Sequence, residues 1–254
     1  MQEITNPHDR FFRETFTRKD IAENFLDVYL PEEIRGNIQL STLSPVKDSF
    51  VDKELREHFS DILYTVKYRE TDLFIYLLFE HKSFPDRFAG FQFFRYKAKI
   101  WEQYLKQNPK AKKLPPVFPM LLCHGKTEWN IPLNFQALIQ KEEFPDKYIP
   151  EFHYELYDIS HIPEAEIRGK VLTRMVLLTA RHIFDPDIRH RLPEILSLFH
   201  EVADQNTALE MLEIILRYVV RAVNRFDEKD VIEIIKDTEI GEDIMETFID
   251  RYRF

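Results

Sequence analysis

The chain has one cysteine, Cys123, and five glycines in 254 residues. A single thiol excludes an internal disulfide framework and any zinc site built from several cysteines. Its place in the apolar run PMLLCHG makes it a buried thiol rather than a nucleophile. So few glycines exclude a Gly-rich phosphate cradle. No apolar run approaches the roughly 20 residues that a membrane-spanning helix needs. The N-terminal MQEITNPHDRFF has neither the charged nor the apolar region of a secretion signal, so the expectation is a cytoplasmic protein with no membrane partner. Positive charge is outnumbered, 35 Lys and Arg against 44 Asp and Glu, and the net charge of −9 argues against indiscriminate nucleic-acid binding. Internal repeats and low-complexity segments are absent.

A hydrophobic content of 44% is enough to bury a substantial core. The stretch 72–83, DLFIYLLFEHKS, stands out. Residues 73–79 carry no charge, and a run this short and rich in Phe, Ile and Tyr reads as a strand buried on both faces. It ends in Glu80-His81-Lys82. The two-residue period of a strand puts Glu80 and Lys82 on one face and His81 on the other. Taken alone, such an ending is commonly no more than a strand emerging into solvent.

In order, residues 10–29 predict one or two amphipathic helices closed by Pro31, and Glu14 is the better of two acidic candidates there, Asp9 being the other. Residues 38–43 read as an edge segment and 61–66 as a strand. The polar 69–72 forms a turn into 73–79, so the two strands make an antiparallel hairpin that brings Asp61 beside Glu80 and Lys82. Residues 88–106 predict a helix whose core face is Phe91, Phe94, Ala98, Trp101 and Leu105, with Gln92, Arg95 and Lys99 on another stripe. Residues 117–123 and 152–159 read as strands. Helical periods then run over 164–184, 192–203, 207–224, 230–236 and 241–252. The organisation expected is α/β (α+β), a mixed sheet flanked by helices over 1–160 and a helical region over 161–254. Charge is uneven: residues 95–113 hold seven basic side chains against Glu102 alone, whereas 226–254 carry ten acidic and four basic residues. A polyanion is steered to the first region, where Arg95, Lys97 and Lys99 are the expected contacts.

Asp, Glu and Lys so arranged suit phosphodiester hydrolysis. A divalent metal held by carboxylates lowers the pKa of a water, and a nearby cation steadies that water and the developing charge. Magnesium takes one or two protein carboxylates, so Asp61 and Glu80 suffice, with the His81 backbone carbonyl a third donor and Lys82 at the attacking water. Zinc is the poorer reading, since His8, His58, His81 and His124 lack close-paired spacing.

The pattern resembles the PD-(D/E)XK nuclease superfamily. More narrowly, HDRFFRETF at 8–16, FSDILYTV at 59–66, IYLLFEHKSFPD at 75–86 and FRYKAKIWEQYL at 94–105 resemble the recombination-promoting nuclease family, whose members are also called putative transposases. The likeness covers roughly residues 5–205. It implies a PD-(D/E)XK core, with Asp61 and Glu80 as metal ligands, Lys82 as the lysine and Gln92 as the helical glutamine. It also implies a magnesium-dependent DNA endonuclease, with manganese substituting, in DNA recombination or in genome and mobile-element defence. Many members of the narrower family carry Gln where Lys82 stands, and Ser60 replaces the proline before the first Asp. A dimer is the simplest way to cut both strands. The rival from another class is a catalytically inactive DNA-binding or protein-interaction module on a decayed nuclease fold. A glycosidase using two carboxylates needs a sugar platform that these aromatics, set at helical core spacing, do not supply.

Overall fold

The backbone follows the apolar periods. A computed structural model describes residues 6–46, 61–80, 85–140, 142–223, 230, 233, 234 and 238. In chain order the elements are α1 (Pro7–Phe16), α2 (Lys19–Tyr29), the one-turn α3 (Glu32–Arg35), β1 (Ile38–Pro45), β2 (Ile62–Tyr68) and β3 (Thr71–Glu80). Then come α4 (Ala89–Gln107), β4 (Val117–Cys123), β5 (Glu155–Asp158), α5 (Val171–His182), α6 (Ile188–Ser197) and α7 (Gln205–Ala222). They form two units: a sheet unit of residues 29–158 and a helical unit of 1–28 with 159–254.

The five strands stand in sequence order, β1-β2-β3-β4-β5. The first three are antiparallel, while β3–β4 and β4–β5 are parallel, so the sheet is mixed. β2 and β3 form the expected hairpin, but its turn is tighter than 69–72. Tyr68 pairs with Thr71 and Lys67 with Asp72, leaving Arg69 and Glu70 at the tip. Lys67 Nζ reaches Asp72 Oδ1 at 2.7 Å across the strands, which gives both charged residues a reason to stay in the ladder. Every residue of β3 from Leu73 to Glu80 is buried, as its uninterrupted apolar run requires. The strand expected at 152–159 is confined to 155–158, because the backbone before it pairs elsewhere: Phe135 N–H donates to the Phe152 carbonyl (3.0 Å) and Tyr154 N–H to that of Leu133 (3.0 Å).

A parallel neighbour requires a crossover, and α4 supplies it between β3 and β4. The helix lies where periodicity predicts, but on a different face. Ala89, Phe93, Tyr96 and Ile100 are buried in one cluster with Leu63, Phe74, Tyr76, Leu78, Leu121 and Cys123 of the sheet. Phe91 and Phe94, expected in the core, are 52% and 37% exposed, and Ala98 and Leu105 are exposed as well. Both stripes have three-and-four spacing. The sheet takes the one that begins at Ala89, and Gly90, where an added Cβ would lie 3.1 Å from Leu138, lets Leu138 close on the helix.

In the helical unit, Asn6 caps α1 by accepting from His8 N–H at 2.9 Å, with Pro7 at the first helical position. α1 packs on α7, where the Phe11 ring stacks on Tyr218 at 4.1 Å. The helix predicted over 164–184 is Val171–His182 only. Gly169 breaks it: its φ of +119° is open to glycine, and a Cβ there would stand 2.6 Å from Asn24 Oδ1, the acceptor of Lys170 N–H. The helix expected at 192–203 begins earlier, at Ile188, and tightens into a 3₁₀ turn over Leu198–Glu201. The helices expected at 230–236 and 241–252 lie outside the described residues, apart from positions 230, 233 and 234.

Candidate active site

The hairpin register sets the first two carboxylates. Ile62 pairs with Leu77 and Leu63 with Tyr76. Continuing by one residue sets Asp61 opposite Leu78, on the face that Tyr76, Leu78 and Glu80 share. Asp61 and Glu80 are therefore diagonal neighbours, a relation that spans about 7 Å between adjacent strands. Tyr76 ties the two strands together through its side chain, its hydroxyl donating to Asp61 Oδ2. Burial pushes the Tyr76 phenol well up, and the Asp61 charge and hydrogen bond push it further, so it remains a donor; the charge of Arg95 on α4 acts on it in the opposite sense.

Glu80 is 6% exposed, which is unusual for a carboxylate. Its carbonyl accepts from His124 N–H at 2.7 Å, and in register it stands beside Cys123, which stands beside Asp158. The free Cys123 thiol is buried as expected. Burial, and then the charges of Asp158 and Glu80, raise it from 9.0 to about 12, so it stays protonated and takes no nucleophilic part. Asp158 Oδ2 accepts from Trp129 N–H at 3.2 Å.

Of the remaining expected residues, Gln92 is half-buried in the first turns of α4, one turn before Arg95. Lys97 is turned onto aromatic surface: its ammonium lies 4.5 Å from the Phe152 ring centroid and 5.7 Å from that of Trp101, and burial lowers its pKa. Lys99 is half-buried on the same helix. Glu14 sits on α1 in the helical unit, where its carboxylate is engaged by Arg10 at 2.9 Å and by Arg217. His81 and Lys82 lie outside the described residues. Among the described residues no three His, Cys, Asp or Glu side chains form a group able to hold a metal ion. The expected centre needs two carboxylates plus a carbonyl. The Tyr76 contact was not read from the sequence, although its period-two spacing from Glu80 was the available signal.

Fold and site together define a mixed α/β protein with an acidic pair at one end of its central hairpin. The chain belongs to the YhgA-like putative transposase family, whose model matches residues 6–210. It is 30% identical over 217 residues to recombination-promoting nuclease RpnD of Escherichia coli O157:H7, covering 84% of this chain and 82% of that one. It is 25% identical over 244 residues to recombination-promoting nuclease RpnC of Escherichia coli K12, covering 96% and 79%. A third relative, at 30% over 188 residues (72% and 61%), is the inactive recombination-promoting nuclease-like protein RpnE of the same strain. No solved structure matches the chain.

Proposed function

We propose that the chain is a divalent-metal-dependent DNA endonuclease built on a PD-(D/E)XK core, acting in the cytoplasm in DNA recombination or mobile-element processes. The observation that carries this reading is the shared face of Asp61 and Glu80 at one end of the β2–β3 hairpin, with Tyr76 fixing the Asp61 carboxylate. The donor set fits magnesium, with manganese substituting: the two carboxylates, with the carbonyl of His81 as a third donor. The ion supplies activation of water and neutralisation of developing charge. Asp61 and Glu80 would hold it, and Tyr76 keeps Asp61 in one orientation by occupying Oδ2. Lys82 would position the attacking water and take or share its proton. Gln92 would orient the reacting groups from α4, and Arg95, Lys97 and Lys99 would meet the DNA backbone. Glu14 is an accessory candidate, and a dimer serves double-strand cutting.

Plasmid nicking tests the reading. With magnesium or manganese, Asp61→Ala and Glu80→Ala each lower the rate by more than about 100-fold. Equal cleavage by wild type and either variant sinks it.

A second reading is a catalytically inactive DNA-binding or interaction module, favoured by the relative named as inactive. It requires salt-sensitive DNA binding without cleavage by the wild-type chain.

A further inference from the structure

The helix α4 has two apolar stripes, and the fold uses one. Along the other, Phe88 is 58% exposed and Phe91 52%, while Phe94, at 37%, continues inward as a ring stack: Phe94 on Phe135 at 4.9 Å, and Phe135 on Phe152 at 5.1 Å. Large exposed rings at three-residue intervals on one helix are costly to leave in water. Cations accompany them. Arg87 is exposed beside Phe88, Arg95 lies one turn beyond Phe91, and the Lys97 ammonium caps the Phe152 end of the stack. Next to Phe88 the surface dips into a recess of about 500 Å³ lined by Arg87, Phe88, Asn130, Ile131, Pro132 and Leu138. That volume accommodates a nucleobase with its sugar, Asn130 offers both a donor and an acceptor to a base edge, and Arg87 offers a fork to a phosphate.

Aromatic faces interleaved with cations are what a flexible polyanion with exposed π-faces requires. Intact duplex hides its base faces and has no use for the rings. We propose that this surface, Phe88, Phe91 and Phe94 with Arg87 and the adjoining recess, binds an unpaired DNA strand, its bases stacked on the rings and its phosphates on the cations. This deepens the nuclease reading and rests on it for the strand's role as substrate. Arg95 joins the two surfaces: its guanidinium lies 5.3 Å over the Tyr96 ring, which packs at 5.1 Å on Tyr76, the residue that holds Asp61. The strand held on α4 would thus be led toward the carboxylate pair.

The test is fluorescence anisotropy of the full chain with labelled dT20 and with a 20-base-pair duplex, in EDTA so that cleavage plays no part. Wild type binds dT20 more tightly than duplex. Phe88→Ala/Phe91→Ala weakens dT20 binding by at least about 20-fold and duplex binding by less than about twofold. Phe91→Trp retains dT20 binding, and Arg87→Glu weakens it. All three positions of change are exposed, and circular dichroism checks that the fold is kept. Unchanged dT20 affinity in the double variant overturns the proposal, as does an equal loss for duplex. So does a shift from dimer to monomer in sedimentation with dT20 affinity intact, which would assign the rings to a second copy of the chain. Because binding is read without metal, an absence of plasmid nicking would defeat the nuclease reading and leave this result to stand or fall separately.

Discussion

The two units handle polarity in opposite ways. In the helical unit the charged side chains are matched: Arg217 with Glu14 and Glu213, Arg18 with Asp20 and Glu210, and Arg189 with Asp230 and Glu233. Among the described residues, its large apolar side chains are sheltered. In the sheet unit, Asp61 is half-buried and Glu80 buried at one end of a hydrophobic hairpin, and all eight strongly exposed large apolar residues of the described chain, from Phe88 to Tyr148, belong to it. Burying carboxylates and exposing rings both cost stability. On the proposed function, a unit that does both is shaped by what it binds, whereas the helical unit is shaped by packing.

The largest effect that sharpens this contrast is Leu212→Ala. Leu212 is fully buried on α7, and its truncation lowers the unfolding free energy by about 2–5 kcal/mol in urea titration. Tyr76→Phe comes next. It removes the hydrogen bond to Asp61 while keeping the ring, so nicking activity or the magnesium midpoint worsens by about 10- to 100-fold with little change in melting temperature. An unchanged magnesium midpoint and rate would break the link between the hairpin's buried polarity and chemistry. Alkaline pH gives a smaller, signed effect. Burial raises the Tyr154 phenol from 10.0 to about 12, so the native state keeps a proton that the unfolded chain loses. The resulting stability is whole below pH 10 and is lost as pH rises through about 12. Tyr154→Phe flattens that decline in an unfolding series, although Tyr64 and Tyr76, raised in the same direction, keep part of it. Smallest is Phe91→Ala, which changes stability by less than about 0.5 kcal/mol. A loss near that of Leu212→Ala would mean that the exposed stripe is covered in solution, and the contrast would fail.

Much of the sheet was legible because its signals were local. Residues 117–123 form β4 without a change of boundary, and the run at 73–79 is the central strand. The shared face of Asp61 and Glu80 was legible because a hairpin converts sequence spacing into register. What was not legible depended on choices between equal patterns. Phe91 and Phe94 satisfy the helical period as well as Phe93 and Tyr96 do, and only packing against Leu63, Phe74, Tyr76, Leu78 and Leu121 of the sheet selects the second set. The delayed start of α5 turns on the contact of Gly169 with Asn24, far away in sequence. The pairing of α1 with α7 had no local signal at all.

That pairing governs how the chain is made. The strands stand in the sheet in the order in which they are synthesised, so from β2 onward each emerges with a neighbour already made. The first helix is different: its hydrogen bond between His8 and Tyr218 spans 210 residues. At roughly 5–20 residues per second of synthesis, α1 waits about 10–40 s for its partner, with Phe11 lacking the ring it will stack upon. Closing so long a loop is an entropic expense met only at the end. The nascent protein is thus most prone to aggregate at its beginning, and a ribosome stalled before α7 leaves the first helix without its mate.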